Sequence, residues 1–157
     1  EQLCKFSVLS DQVTNVTTLR LFNVYGPGQR PEFLIPTVLD QVARGGIVEV
    51  SDLKPRRDYI YIDDVVSAIM SAMSLGRGYN ALNIGSGVSL SVEEVVETIQ
   101  RLAGSALPVS SKNQKRPQEI ADVRADYARA QEIIDWRPQV SFEQGIAKIL
   151  NHSTAKV

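Results

Sequence analysis

The pattern that most narrows the folds open to this chain is a strand-like run that passes directly into an amphipathic helix, and it occurs twice. From Asp58, "DYIYI" runs straight into "DDVVSAIMSAM"; from Tyr79, "YNALNIGSG" is soon followed by "SVEEVVETIQRLAG". Strand alternating with helix predicts an α/β architecture rather than a helical bundle or a β-sandwich. The second helix has the clearest start: Ser91-x-x-Glu94 reads as a capping box, and Val92, Val95, Val96, Ile99 and Leu102 form its apolar stripe. In the first, Val65, Val66, Ile69, Met70 and Met73 form a stripe that predicts core filling, methionines included, with Asp63 or Asp64 as N-cap.

The remaining segments fit the same scheme. "VTTLRLFNV" concentrates β-branched and aromatic residues, so Thr17 to Val24 reads as one strand buried on both faces. It breaks at Tyr25-Gly-Pro-Gly, after which Leu34, Val38 and Val42 recur at helical spacing until Gly45-Gly46. Glu1 to Leu9 reads as a helix, "IVEV" as a short strand and "SDLKPRR" as a polar turn. "ADYARAQEIIDW" and "SFEQGIAKIL" read as short helices, the latter opened by Ser141-x-x-Gln144. "SALPVSSKNQKRPQE" is the most polar and least periodic stretch and reads as a loop.

Composition excludes more than it selects. With 17 basic and 18 acidic residues among 157, no overall field favours nucleic acid or an anionic membrane. Cys4 is the single cysteine and His152 the single histidine, which excludes an internal disulfide, a Cys-based zinc site and most nucleophile triads; no metal site is expected. No charged-then-apolar leader opens the sequence and no apolar run nears the roughly 20 residues of a membrane span, so the expectation is a soluble, cytoplasmic protein.

Several residues could carry chemistry. Asn23 lies at the mouth of a buried-type strand, where ligands of open α/β folds bind; its amide could face a phosphate or sugar, or bond the backbone of the Tyr25-Gly26-Pro27 turn, and the sequence weighs these equally. Arg57, beside Arg56 and Asp58, suggests an anion, although a solvated turn is the commoner use of such a pair. Arg116 and Glu119 flank Pro117 and could grip a phosphate and ribose hydroxyls, or simply solvate a loop. "NIGSG" lacks the full spacing of a dinucleotide loop and reads as a turn. None of the five tyrosines has a lysine four residues later, so no Tyr-x-x-x-Lys pair is present.

Taken in order, "LRLFNVYGPGQ", "RRDYIYIDDVVSA", "YNALNIGSG", "KRPQEIADV" and "ADYARAQEIIDWRPQVSFEQGI" resemble the extended short-chain dehydrogenase/reductase family of NAD-dependent sugar-nucleotide epimerases and dehydratases, the UDP-glucose 4-epimerase group among them. The resemblance covers nearly the whole chain and implies its fold: a partial Rossmann-like sheet lacking its N-terminal strands, plus a small α/β substrate-binding domain. Thr17 to Val24, Asp58 to Ile62 and the region of Ala81 to Ile84 would lie at the edge of that sheet. Residues 1–29 would end the Rossmann domain, 30–56 begin the substrate-binding domain, 57–88 form a Rossmann-side strand–helix–strand, and 89–157 complete the substrate-binding domain.

The resemblance further implies site roles. Asn23 matches the family's substrate asparagine, and Leu21, Phe22 and Val24 would pass near the nicotinamide. Phe33 and Leu34 match the first nucleoside contact, while Val48, Glu49 and Val50 match the strand whose backbone meets the base. Arg57 matches the arginine on the diphosphate; Arg116 and Glu119 match the arginine on phosphate and the acid on the ribose. Departures are Ser51-Asp52-Leu53 in place of Gly-Asp-Gly, Arg56 in place of a small or polar residue, and Gln118 in place of a frequent glycine; the first falls at the nucleobase pocket.

Function follows as an expectation. The chain would be the nucleoside-diphosphate-sugar-binding portion of an epimerase, inactive alone because the catalytic Tyr and Lys and the Gly-rich loop lie upstream. The parent would use NAD or NADP, with none bound by this chain alone. The alternatives are a portion of a 4,6-dehydratase or 4-ketosugar reductase, or a non-catalytic binding or assembly module. A sheet so truncated leaves apolar faces open, so a homo-oligomer or a missing N-terminal half is expected to cover them.

Overall fold

The computed structural model describes residues 1–11, 15–114 and 118–154, the side chains of the last two excepted. Its fold is mixed α/β. Helix α1 (Gln2–Leu9) precedes β1 (Asn15–Leu21), which pairs in parallel with β5 (Gly78–Ile84) from Asn15 opposite Gly78 to Leu21 opposite Ile84. A second sheet joins β2 (Asn23–Tyr25) in parallel to β4 (Arg56–Tyr61), and β4 antiparallel to β6 (Ser89–Ser91). In a third, β3 (Val48–Val50) pairs in parallel with β7 (Val109–Ser111). The other helices are α2 (Leu34–Arg44), α3 (Ile62–Ala72), α4 (Val92–Leu102), α5 (Ala128–Ile134) and α6 (Phe142–Thr154).

The expected single strand Thr17 to Val24 is therefore two. The Phe22 N–H donates to Ile84 O, completing the first ladder, and Asn23 opens a new one opposite Tyr59. Both strands are apolar, so the run shows no break where the chain changes sheets. Asp58 to Ile62 likewise pairs with β2 and not with β1, and its strand starts earlier, at Arg56, so both arginines belong to β4 rather than to a turn. The three-residue strands β6 and β7 are too short to show a period.

Alternation along β4 divides the interior. Tyr59 and Tyr61 face a core that holds Tyr25, Ile35, Val38, Val96, Ile99 and Ile146, whereas Ile60 faces another that holds Val65, Leu82, Ile84, Ala130 and Trp136. In the first, the Tyr25 and Tyr61 rings meet edge to face with centroids 5.4 Å apart.

Helix α4 starts as its sequence predicts. Ser91 Oγ accepts from the Glu94 N–H at 3.1 Å, and Glu94 Oε2 accepts from the Ser91 N–H at 2.6 Å. That backbone donor, with the Arg56 guanidinium adding to it, holds the Glu94 carboxyl below its ordinary range. Ser91→Ala should cost about 1 kcal/mol in a urea unfolding curve; an unchanged midpoint would show that the cap is idle. Helix α6 repeats the device with Ser141 and Gln144.

Helix α3 departs from expectation twice. Its N-cap is Tyr61, so Asp63 and Asp64 lie inside the first turn, where they complement the helix dipole rather than cap it. Asp64, 3% exposed, instead accepts from the Gln139 and Val140 N–H groups, one on each oxygen at 3.0 Å, and Asp63 pairs with Lys148. The predicted core stripe is also open at four of its five residues. Val65 and Ala68 are buried, but Val66, Ile69, Met70 and Met73 are exposed, Met73 at 74%. Periodicity marks an apolar face without saying what covers it. Leu3, Phe6 and Leu9 of α1 are exposed as well.

Candidate functional site

A cleft of about 480 Å³ lies between the start of α2, strand β3, the residues after β7 and the start of β4. Its walls are mixed. Leu34, Val50, Pro55 and Val92 supply apolar surface, while Thr37, Gln41, Glu49, Arg57, Lys112 and Glu119 supply polar groups. Such a volume, with many polar and charged groups set beside a smaller apolar surface, suits a small polar organic ligand.

Arg57 and Glu119 meet here. Arg57 Nη2 donates to Glu119 Oε1 at 2.9 Å, and Nη1 donates to the carbonyls of Arg56 and Ile120 at 2.8 Å each. Their side chains are 24% and 20% exposed, so the ion pair is partly shielded and its guanidinium is fixed in direction. Arg116, expected beside them, lies outside the described residues.

Strand β4 is held by the residue next to Arg57. Asp58 is fully buried; its Oδ1 accepts from Ser86 N–H and Oγ–H at 2.7 Å each, and its Oδ2 accepts from the N–H groups of Gly87 (2.9 Å) and Ala125 (3.0 Å). Four donors from two loops thus converge on one carboxylate. The "NIGSG" turn is a latch for this acid, and Gly85 has to be glycine: a Cβ there would lie 2.4 Å from that of Ala125. Asn23 joins the same strand, its Nδ2 donating to Asp58 O at 3.0 Å. Its amide therefore bonds a neighbouring strand rather than its own turn, and leaves Oδ1 without a hydrogen bond among the described residues. Asn23 is exposed but is not on the cleft wall.

The other expected residues divide similarly. Leu34 lines the cleft, whereas Phe33 caps α2 at its edge, 45% exposed beneath the Arg30 guanidinium. Val48 and Val50 point into the core, which turns Glu49 outward. The β3 backbone is already engaged: Val48 N–H donates to Pro108 O, Val50 O accepts from Lys112 N–H, and the Gln41 amide clamps Glu49, accepting its N–H at 2.6 Å and donating to its carbonyl at 3.2 Å. Leu21 is 47% exposed at the end of β1, Phe22 is half-buried and Val24 packs into the second core.

Sequence reasoning missed Thr37, Gln41 and Lys112 on the cleft wall, and Asp58 behind it. Thr37 and Gln41 follow Leu34 by three and seven residues, the spacing of one helix face, which was the available signal. Burial pushes the Tyr59 phenol up to about 12 and that of Tyr25 well above its usual value, so both stay protonated and act as packing groups near neutral pH. Among the described residues, no group of three or more His, Cys, Asp or Glu side chains could hold a metal ion, and no helix is long and apolar enough to cross a membrane.

The fold is Rossmann-like, and solved structures place it among short-chain dehydrogenase/reductase architectures. The RMD protein of Pseudomonas aeruginosa, solved with NADPH, matches 99% of this chain and 54% of its own at a TM-score of 0.88 and 27% identity. The UDP-glucose 4-epimerase of Thermotoga maritima, solved with UDP-glucose, matches 99% of this chain and 50% of its own at a TM-score of 0.85 and 27% identity. In sequence, the GDP-6-deoxy-D-mannose reductase of Pseudomonas aeruginosa is 30% identical over 149 residues, covering 90% of this chain and 49% of that protein. The family model described as GDP-mannose 4,6 dehydratase matches residues 9–149. The chain belongs to this family of NAD-dependent epimerases, dehydratases and reductases, the extended short-chain dehydrogenase/reductases. It spans about half the length of the relatives it matches.

Proposed function

We propose that this chain is the nucleoside-diphosphate-sugar-binding portion of an NAD(P)-dependent sugar-nucleotide epimerase. The observation that carries the reading is the fixed Arg57–Glu119 pair in the cleft, a cation for the diphosphate beside an acid for the ribose hydroxyls. Leu34 and Val50 give the base apolar contact, and the sequence resemblance offers Arg116 as a second cation for phosphate. The Oδ1 of Asn23 accepts from a sugar hydroxyl. Binding energy gathered on the diphosphate and nucleoside holds the hexose in place, which is how a remote grip serves catalysis.

Residues 1–29 and 57–88 side with the cofactor half on this reading, and 30–56 and 89–157 with the substrate half. Leu21 and Phe22 fit one wall of a nicotinamide pocket, since Leu21 offers open apolar surface at a strand's end. NAD or NADP would accept and return the hydride there. With no Tyr-x-x-x-Lys pair in the sequence, the chain is expected to show no turnover alone. The open faces of α1 and α3 are those that the rest of a full-length protein covers.

A 4,6-dehydratase or 4-ketosugar reductase would use the same grip. Relatives named for GDP- and for UDP-sugars both match, so the base is a property of this chain's own cleft residues. Isothermal titration with UDP-glucose, dTDP-glucose and GDP-mannose tests the reading. Saturable binding is expected, weakened about tenfold or more by Arg57→Ala, which removes a charged contact to phosphate. Unchanged affinity in Arg57→Ala and Arg116→Ala would favour a non-catalytic module of the same fold.

A further inference from the structure

We propose that the cleft selects guanine, with the Glu49 carboxylate accepting from the base's N1–H and N2–H and the Lys112 ammonium donating to its O6. This rests on the sugar-nucleotide reading above and deepens it by naming the base.

The cleft's charges single out these two groups. It is lined by four carboxylates, of Glu32, Glu49, Asp52 and Glu119. Glu119 is taken by Arg57, Glu32 pairs with Arg30, and Asp52 accepts from the Lys54 N–H. Among the described residues, Glu49 alone of the four has a side chain with no hydrogen bond or ion pair. Lys112 is the corresponding cation: of the two described cations on the cleft wall, Arg57 is paired and the Lys112 ammonium has no carboxylate within ion-pair range. Pairing of Glu49 with Ser110 across β3 and β7 puts Lys112, two residues beyond Ser110, on the same face as Glu49.

Glu49 is also held in direction. Val48 and Val50 on either side are buried, at 0% and 7% exposure, and the Gln41 amide clamps the Glu49 backbone through both its N–H and its carbonyl. That clamp removes the backbone groups that would otherwise read a base in a sequence-neutral way. The Thr37 hydroxyl proton is engaged too, donating to Pro31 O at 2.8 Å or to Phe33 O at 2.7 Å. Ser51 and Gln114 remain on the wall as neutral groups, and the charged part of the discrimination falls to an anion and a cation.

Base chemistry does the rest. A carboxylate needs two adjacent donors for a bidentate contact. Uracil and thymine present one N–H between two carbonyl oxygens, which an anion repels. Cytosine and adenine each set a ring acceptor beside their amino group. Guanine alone offers adjacent N1–H and N2–H donors, with O6 next to them for a lysine.

The test titrates GDP, GDP-mannose, UDP, UDP-glucose and dTDP-glucose into the chain and its Glu49→Gln variant. GDP and GDP-mannose should bind at least about tenfold more tightly than the uridine and thymidine ligands, and Glu49→Gln should remove most of that preference, weakening the guanine ligands and strengthening the uridine and thymidine ones as the anion's repulsion of their carbonyls is lost. A uridine or thymidine preference, or a guanine preference that Glu49→Gln leaves intact, overturns the guanine assignment and leaves the sugar-nucleotide reading standing. Binding of none of the five overturns both.

Discussion

Replacing Asp58 with alanine is expected to destabilise the chain by about 3–5 kcal/mol, the cost of stripping a buried charge from its donors. Three backbone N–H groups, of Ser86, Gly87 and Ala125, would lose their acceptor inside the protein, while the Ser86 hydroxyl would keep Val88 O at 3.1 Å. Hydrophobic packing cannot compensate, because these donors would face a cavity and one another. Asp58→Asn keeps one acceptor oxygen but turns an NH2 toward two of the donors, so about 2 kcal/mol is expected. Guanidinium unfolding midpoints rank the variants, and the asparagine form keeps the comparison available if the alanine form fails to fold. A loss under about 1 kcal/mol for both would mean that the loops hold β4 without the acid.

Gly145→Ala should also destabilise, although it sits inside α6, where alanine normally gains about 1 kcal/mol over glycine. The opposing effect is steric. A Cβ on Gly145 would lie 2.1 Å from Tyr25 Oη and 2.7 Å from its Cζ, and Tyr25 is 1% exposed, so the ring has nowhere to retreat. Overpacking of this kind costs about 1–3 kcal/mol beyond the helix gain. Tyr25→Phe removes the nearest atom along with its hydrogen bond to Phe142 O, so the double variant should lose less than the sum of the singles. Additive losses, or a Gly145→Ala protein more stable than its parent, would place the contact elsewhere.

What could be read from the sequence was what depends on neighbours along the chain. The Ser91 and Ser141 caps, the strand at β5 and the helices from α2 to α6 follow from local pattern, and the structure contains them. The division of labour around Phe22 was hidden because both sheets demand the same apolar letters. Helix α3 shows a related limit: Val66 and Met70 look like Val65 until the neighbours are known. At the candidate site, Arg57 and Glu119 were each legible as site residues, Glu119 in the company of Arg116, but their direct ion pair is supplied by the fold. The Gln41 clamp and the Asp58 latch were not legible, since each acts on a segment that only tertiary folding supplies.

Strand β4 sets a side chain for the cleft, Arg57, immediately before one for the interior, Asp58. Because successive residues point to opposite faces, sliding this strand by a single position would carry a guanidinium into the socket built from three backbone N–H groups and turn the acid outward. Cation would then meet donors, and nothing could neutralise it. The neighbouring pair thus acts as a proofreading device for strand alignment: a mispaired chain is penalised at the very place where a correctly paired one presents its cleft arginine.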